Sequence, residues 1–386
     1  MTCPTCGEAL ADGANFCEAC GSQVSSDAAA AAAAPGPVAG TEDVSPISTP
    51  TRRGADDVPL ADPVARVCAE CGGAVDADDY CTVCGAKAPS ARDHFEEQPA
   101  PWVAGICDRG ITHSRNEDAM ALFAAQAPGS RAALVVCDGV TNSDDSHIAS
   151  LAAARAARDV LRMPPPRGLG TPESVDAAAV KVLNQAAESA QTAVIAHSDP
   201  SSTRPASCTF AVATVDGSTV RYAVIGDSRV YWLPDAGEGR QLLPDDSMAQ
   251  ALIDGGMPRE RAEVAPQAHA ITKWLGADAP DIVPRTGTMT VDADGWLLIC
   301  SDGLWNYASE PAALRAEVDK AATTEPHALA AHLVAFATAA GGHDNITVAL
   351  ARCGAVGDNA GTPPADQPAA DKPTAEQPTT GGDVHG

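Results

Sequence analysis

The sequence predicts an α+β fold of layered sheets and helices, preceded by two small zinc ribbons. Three observations carry this. Four CxxC pairs are confined to the first 85 residues, amphipathic helix patterns are grouped apart from β-rich runs in the remainder, and short acidic motifs stand where several apolar runs stop. Strands and helices segregated along a chain point to an α+β architecture rather than a doubly wound one.

The first element is a ribbon over 1–22, where Cys3 and Cys6 form CPTC and Cys17 and Cys20 form CEAC. The second covers 67–86, with Cys68 and Cys71 in CAEC and Cys81 and Cys84 in CTVC. Each pair is followed by glycine, the residue that allows a CxxC knuckle its tight left-handed turn. Two knuckles make a tetrahedral four-thiolate zinc site, and in so small a segment metal binding supplies most of the folding energy. Redox dithiols would need a βαβ setting, which neither pair has. The ribbon over 3–21 carries Glu8, Asp12 and Glu18, and that over 68–85 carries Glu70, Asp76, Asp78 and Asp79, without a single Lys or Arg. That argues against nucleic acid and leaves protein docking or spacing. Stretches 23–66 and 354–386 are Ala-, Pro-, Thr- and Asp-rich with few aliphatics, so they are expected to be disordered. Residues 87–100 are expected as a further linker.

The main domain is expected over 101–353. RAALVVCDG (131–139) reads as a buried strand, 145–163 as a helix closed by Pro164–Pro166, and 171–198 as a longer helix opened by Thr171 with Pro172 at its first position. Residues 206–233 read as a meander of antiparallel strands, with turns at DG (216–217) and GDS (226–228). DGWLLICSDG (294–303) is another strand, two helices follow near 310–321 and 326–340, and DNITVALARC (344–353) closes the domain as a strand. The single cysteines Cys107, Cys137, Cys208, Cys300 and Cys353 mostly sit in apolar runs, where Cys acts as a small buried hydrophobe.

Aspartate before glycine is the commonest turn dipeptide, so position decides its meaning. Asp12 lies in a ribbon, Asp216 leads into a hairpin, and Asp294 precedes a strand. Asp138 and Asp302 end long apolar runs and leave a carboxylate at a sheet edge, which makes them metal candidates. Oxygen-only ligands select Mg²⁺ or Mn²⁺ over softer metals. The formal charge of −26 argues against nucleic acid or an anionic membrane as a general partner. No apolar stretch is long enough to span a bilayer, and the opening MTCPTC has no leader pattern, so a cytoplasmic location is expected.

Taken in order, RNEDA around Asp118, DG at Asp138, GDSR at Asp227, SDGLW at Asp302 and GGHDN at Asp344 resemble the metal-dependent protein phosphatases, also called protein phosphatase type 2C. The resemblance covers roughly 101–353, and DDSMAQALIDGG (245–256) and ITKWLG (271–276) fit it too. It implies a four-layer αββα sandwich with metals in a cleft at one end. Asp138 would bridge two ions, with the Gly139 carbonyl on one of them. Asp302 and Asp344 would bind the other ion, Glu117 and Asp118 would be direct or water-mediated ligands, and Asp227 would help hold a third, weaker metal. Two or three Mn²⁺ or Mg²⁺ beside two structural Zn²⁺ are thus expected. The activity implied is hydrolysis of phosphoserine and phosphothreonine in proteins of a kinase-linked signalling system, by a hydroxide bridging the two ions.

Two departures stand out. The family usually carries Arg five residues before the NED aspartate to hold the substrate phosphate. Here that position is His113, with Arg115 two residues on. Histidine can bond phosphate without the bidentate fork of arginine. After Asp138 the usual glycines give way to DGVTNSDDS, where Asp144 and Asp145 read as a helix N-cap or as water ligands. The expected catalytic set is therefore Asp138, His113, Asp302 and Asp344, with the ribbons recruiting partners. The competing expectation is a catalytically weakened phosphatase-like binding or scaffold module.

Overall fold

The computed structural model describes residues 67–354 apart from 69–70, 77–79, 87, 89 and 165–167. The ribbon cysteines Cys3, Cys6, Cys17 and Cys20, the stretch 23–66 and the tail beyond 354 lie outside the described residues.

In chain order the main domain contains β1 (His94–Ala100), β2 (Val103–Asp108), β3 (Ala119–Ala124), β4 (Arg131–Cys137), α1 (Ser146–Leu161), α2 (Pro172–Ala196), β5 (Ser207–Cys208), β6 (Phe210–Asp216) and β7 (Thr219–Ile225). Then come β8 (Arg229–Pro234), β9 (Arg240–Gln241), α3 (Met248–Asp254), α4 (Arg259–Ala262), β10 (Leu275–Gly276), β11 (Arg285–Thr290), β12 (Gly295–Cys300), α5 (Asp302–Trp305), α6 (Pro311–Ala321), α7 (Pro326–Ala339) and β13 (Ile346–Cys353). One sheet has the order β1-β2-β13-β12-β8-β9 and the other β11-β7-β6-β4-β3; every pairing within them is antiparallel. Among the described residues no helix is long and apolar enough to cross a membrane.

Strand alternation sorts side chains into three apolar layers between four layers of structure, the αββα sandwich. In β4, Ala132, Leu134 and Val136 face the other sheet, while Ala133, Val135 and Cys137 face α1 and α2. In β12, Leu297 and Ile299 join the layer between the sheets, and Trp296, Leu298 and Cys300 pack on α5, α6 and α7. Each fully buried Leu, Ile or Val contributes about 1.5–3 kcal/mol relative to exposure. The five single cysteines all belong to these layers, as their apolar settings predict.

The helix signals agree with the observed ends. Thr171 caps α2 by accepting from the Ser174 N–H, with Pro172 in the first turn. Three expectations change. Residues 94–100, expected as linker, form the edge strand β1, paired with β2. The expected meander is only half right. The DG turn closes a β6–β7 hairpin, but the GDS turn carries the chain from one sheet into the other, so β7 and β8 do not pair. A turn between sheets leaves Asp227 at their shared end. Finally, Asp145 occupies the N-cap position of α1 without a side-chain cap, because its backbone is left-handed at φ 54. Its neighbour Asp144 instead pairs with Arg204 at 2.8 Å and accepts from Ser202.

Candidate active site

Most of the aspartates singled out by sequence arrive from strand ends at one end of the sandwich. Asp118 precedes β3, Asp138 follows β4, Asp227 lies in the β7–β8 turn, Asp302 opens α5 after β12, and Asp344 precedes β13. The structure brings them together closely enough that Asp138 feels the charges of Asp118, Asp302, Asp344 and Asp227. Glu117 adds its charge to Asp344. Gly139 is set tightly against this group: a Cβ there would stand 2.5 Å from the Glu117 carbonyl oxygen.

Each carboxylate is held by its surroundings. Asp118 Oδ2 accepts from Ser301 Oγ at 2.6 Å and Thr347 Oγ1 at 2.7 Å, while its Oδ1 is buried without a partner. The Asp138 N–H donates to Thr209 Oγ1, and the Thr209 N–H returns a bond to the Asp138 carbonyl. Thr209 also shares a 2.7 Å hydroxyl bond with Ser228, so the Asp138 and Asp227 turns are tied together. Asn345 accepts from the Glu117 N–H and donates to the carbonyls of Arg109 and Arg115, pinning the 109–117 loop beside Asp344. Glu117 Oε1 takes bonds from Arg115 and from Ser146 at the start of α1.

Such a group resists ionisation. Withdrawal from water is the main cause, and neighbouring negative charges add to it. Asp118 and Asp227 are each pushed up to about 7, while Asp138 and Asp302 are raised well above the usual carboxylate range and Asp344 above it. Divalent cations relieve both penalties. The donors are all oxygens, and the orphaned Asp118 Oδ1 gives an ion an unused buried acceptor, so the residues fit Mn²⁺ or Mg²⁺.

A pH dependence follows. Asp118 ionises near 3.8 when unfolded and near 7 in the folded, metal-free chain. The folded state therefore holds the extra proton, and its contribution to stability is complete below about 3.8 and lost as pH rises through about 7. Calorimetry of the chelator-treated protein should show the contribution of Asp118 and Asp227 to stability falling between about pH 4 and 7, by about 1.4 kcal/mol per pH unit for each group. Saturating Mn²⁺ should remove the trend, and Mn²⁺ affinity should weaken as pH drops below about 7.

The outer residues are His113 and Arg115. His113 Nε2 lies 3.3 Å from Asp344 Oδ1, at the cleft margin. Arg115 is exposed over nearly half its side chain and covers the buried Glu117.

A separate site stands in the ribbon. The sulfurs of Cys68, Cys71, Cys81 and Cys84 converge, all ligand atoms within 4.8 Å of one another. Gly72 and Gly85 take φ 72 and 74, and their N–H groups close the turns onto the Cys68 and Cys81 carbonyls, as the knuckle pattern requires. The Cys84 and Val83 amides point at Cys81 Sγ and hold that thiol down at about 6. A Cys81→Ser variant should lose one equivalent of zinc, measured by metal analysis of the purified chain.

Comparison with known proteins places the molecule. Residues 111–336, more than half the chain, match the profile described as protein phosphatase 2C, and residues 3–85 match double zinc ribbon. The fold and the ring of carboxylates define a metal-site α+β sandwich of that kind. The chain belongs to the protein phosphatase 2C family. It is 38% identical over 143 residues to protein phosphatase PhpP of Streptococcus pneumoniae serotype 2, covering 36% of this chain and 54% of that protein. It is 33% identical over 136 residues to serine/threonine protein phosphatase PstP of Mycobacterium tuberculosis, covering 35% and 25%. The chain thus spans about half the length of the first of these relatives and a quarter of the second. Among solved structures, the S. agalactiae serine/threonine phosphatase superposes with TM-score 0.55 at 22% identity, over 67% of this chain and all of that one. The Mycobacterium smegmatis phosphatase MsPP does so with TM-score 0.52 at 27% identity, over 65% and 98%.

Several supporting residues escaped the sequence reading. Ser301 and Asn345 sit inside the SDG and HDN motifs, although Ser301 serves the distant Asp118 and the Asn345 side chain serves the 109–117 loop. Thr209, Ser146, Thr347 and Arg92 have no such local signal.

Proposed function

We propose that this chain is a Mn²⁺- or Mg²⁺-dependent serine/threonine protein phosphatase, and that its ribbons dock partners of a kinase-linked signalling system. One observation carries the reading: Asp118, Asp138, Asp227, Asp302 and Asp344 meet at one sheet end with raised pKa values, and one buried carboxylate oxygen is left unpartnered. Asp138 and the Gly139 carbonyl, with Glu117, Asp118, Asp302 and Asp344, would hold two ions, and Asp227 would serve a third. When bound, the ions supply Lewis acidity toward phosphate oxygens and an acidified water as nucleophile.

The chain's own residues do the rest. A phosphate dianion approaching a protein of charge −26 needs local cations. His113 and Arg115 provide the imidazole and guanidinium beside Asp344 and Glu117. Asn345 and the Thr209–Ser228 pair fix the main chain around the carboxylates, so little reorganisation is left for the reaction. The net charge of −26 and the acidic second ribbon disfavour nucleic acid or an anionic membrane as a general partner, which favours protein substrates.

The test is hydrolysis of a phosphothreonine peptide by the intact chain across a Mn²⁺ titration. Saturable activation, abolished by chelator, supports the reading; a rate independent of metal ends it. A His113→Ala variant should raise KM roughly tenfold at saturating Mn²⁺ with little change in kcat, the value of one charge-assisted hydrogen bond made equally to substrate and transition state. Unchanged KM would remove His113 from phosphate binding.

A further inference from the structure

The residues just before β1 do something for the site that the carboxylate motifs do not. Ser90 Oγ accepts from the Arg92 N–H, and the Ser90 N–H donates to Asp93 Oδ2, a turn that turns Arg92 inward. The guanidinium lies 5.2 Å above the Phe95 ring. Its Nη2 donates to the Asp118 carbonyl at 2.8 Å and to the His147 carbonyl in the first turn of α1 at 3.1 Å. The backbone is fastened as well: Asn116 Nδ2 donates to the Arg92 carbonyl, and the Arg109 N–H to the Asp93 carbonyl. Further along the same segment, Glu97 Oε2 accepts from the Leu122 N–H of β3.

The reason for a guanidinium here is topological. β3 is an edge strand whose ladder with β4 begins at Ala119, so the Asp118 carbonyl lies beyond the ladder. Its carboxylate is oriented by Ser301 and Thr347 and its N–H donates to Asn116 Oδ1 at 3.1 Å, but among the described residues no ladder bond reaches its carbonyl. One flat, permanently charged guanidinium bridges that carbonyl and α1, the helix whose Ser146 bonds Glu117, through the two N–H bonds of its Nη2, while Nη1 is buried without a hydrogen-bond partner. Both members of the Glu117–Asp118 pair are thereby referred to one side chain from outside the phosphatase 2C match, which begins at residue 111.

We propose that Arg92 is a positioning residue for the metal site, contributed by the segment between the second ribbon and the catalytic core. The proposal rests on the phosphatase reading above for its consequence in hydrolysis, but not for its effect on metal affinity. Residues that orient metal ligands typically govern 10–100-fold of affinity or activity. In the full-length chain, Arg92→Met keeps the apolar stem and loses both bonds, while Arg92→Lys keeps the charge but loses the planar Nη2 group that makes both.

Manganese binding is measured by titration calorimetry, and half-activating Mn²⁺ with p-nitrophenyl phosphate as substrate. Both constants should rise about tenfold or more in Arg92→Met and less in Arg92→Lys. At saturating Mn²⁺, KM should stay within about twofold. Leu183→Ala in α2, a buried site remote from the cleft, serves as the control for lost stability and should leave the manganese constant unchanged. Arg92 variants that lose Tm yet bind manganese like the intact chain would overturn the proposal, as would a shift of equal size in Leu183→Ala. If Arg92→Met does not fold, Arg92→Lys decides by the same criteria. An intact chain that binds manganese but hydrolyses nothing refutes the phosphatase reading alone, and the calorimetric comparison still judges Arg92. An intact chain that binds no manganese refutes both.

Discussion

Asp138→Asn should lower the Mn²⁺-dependent rate by at least about 10³-fold while leaving the fold intact. The substitution keeps the shape of the side chain and the main-chain bonds to Thr209, which do not involve the carboxylate. What it removes is one negative charge from the member of the cluster that feels four other aspartates. In the metal-free protein that charge is a liability, because Asp138 is withdrawn from water and repelled by its neighbours. Without cation, therefore, the variant should be as stable as the intact chain or more so. With saturating Mn²⁺ the order should reverse, because the intact protein gains RT ln(1 + [L]/Kd) and the variant gains less. Opposite effects on metal-free stability and on activity separate a ligand from a structural aspartate. Equal rates for the two proteins across the Mn²⁺ titration would end the two-metal proposal.

The metal candidates were legible because a carboxylate that ends an apolar run can go only to a sheet edge. VVCDG and LLICSDG state this locally, and the ordered series of five motifs supplied the rest. The long helices were equally plain, since Thr171–Pro172 and Pro326 mark starts that the backbone must respect. What failed to show was whatever depends on pairing between distant segments. A β7–β8 hairpin and a crossing between sheets have the same alternation and the same GDS turn, and only the partners of β8 (β9 and β12) decide between them. β1 was hidden for a related reason. HFEEQPA lies on an edge with exposed polar alternate residues, a composition that reads as linker until β2 pairs with it. The Asp145 cap failed because cap preference assumes an extended backbone, and here φ is positive.

Arg229 should be the costliest single residue to remove for stability. It follows Asp227 in the GDSR motif and is 3% exposed. Its Nε and Nη2 engage the equally buried Asp245, the latter at 2.6 Å, Glu263 lies 3.5 Å away, and Nη1 donates to Ser309. The guanidinium stacks 3.6 Å from the Trp305 ring, and Trp305 Nε1 in turn donates to the Asp227 carbonyl. One cation thus joins the Asp227 turn, α5 and the segment that starts α3. Arg229→Met fills the space with apolar atoms but strands the Asp245 charge away from water, which costs about 3–5 kcal/mol. For a domain of this size that lowers Tm by roughly 10 °C. Arg229→Met combined with Asp245→Leu removes the stranded charge and should recover more than half of the loss, because an apolar pair of similar volume replaces a buried ion pair at little cost. Chemical denaturation of the two variants beside the intact chain gives both numbers. A single-variant loss below about 1 kcal/mol would mean that water reaches Asp245 and that the network is only a surface pair. No recovery in the double variant would place the stabilisation in the Trp305 stacking and the Ser309 bond instead of in the charge pair.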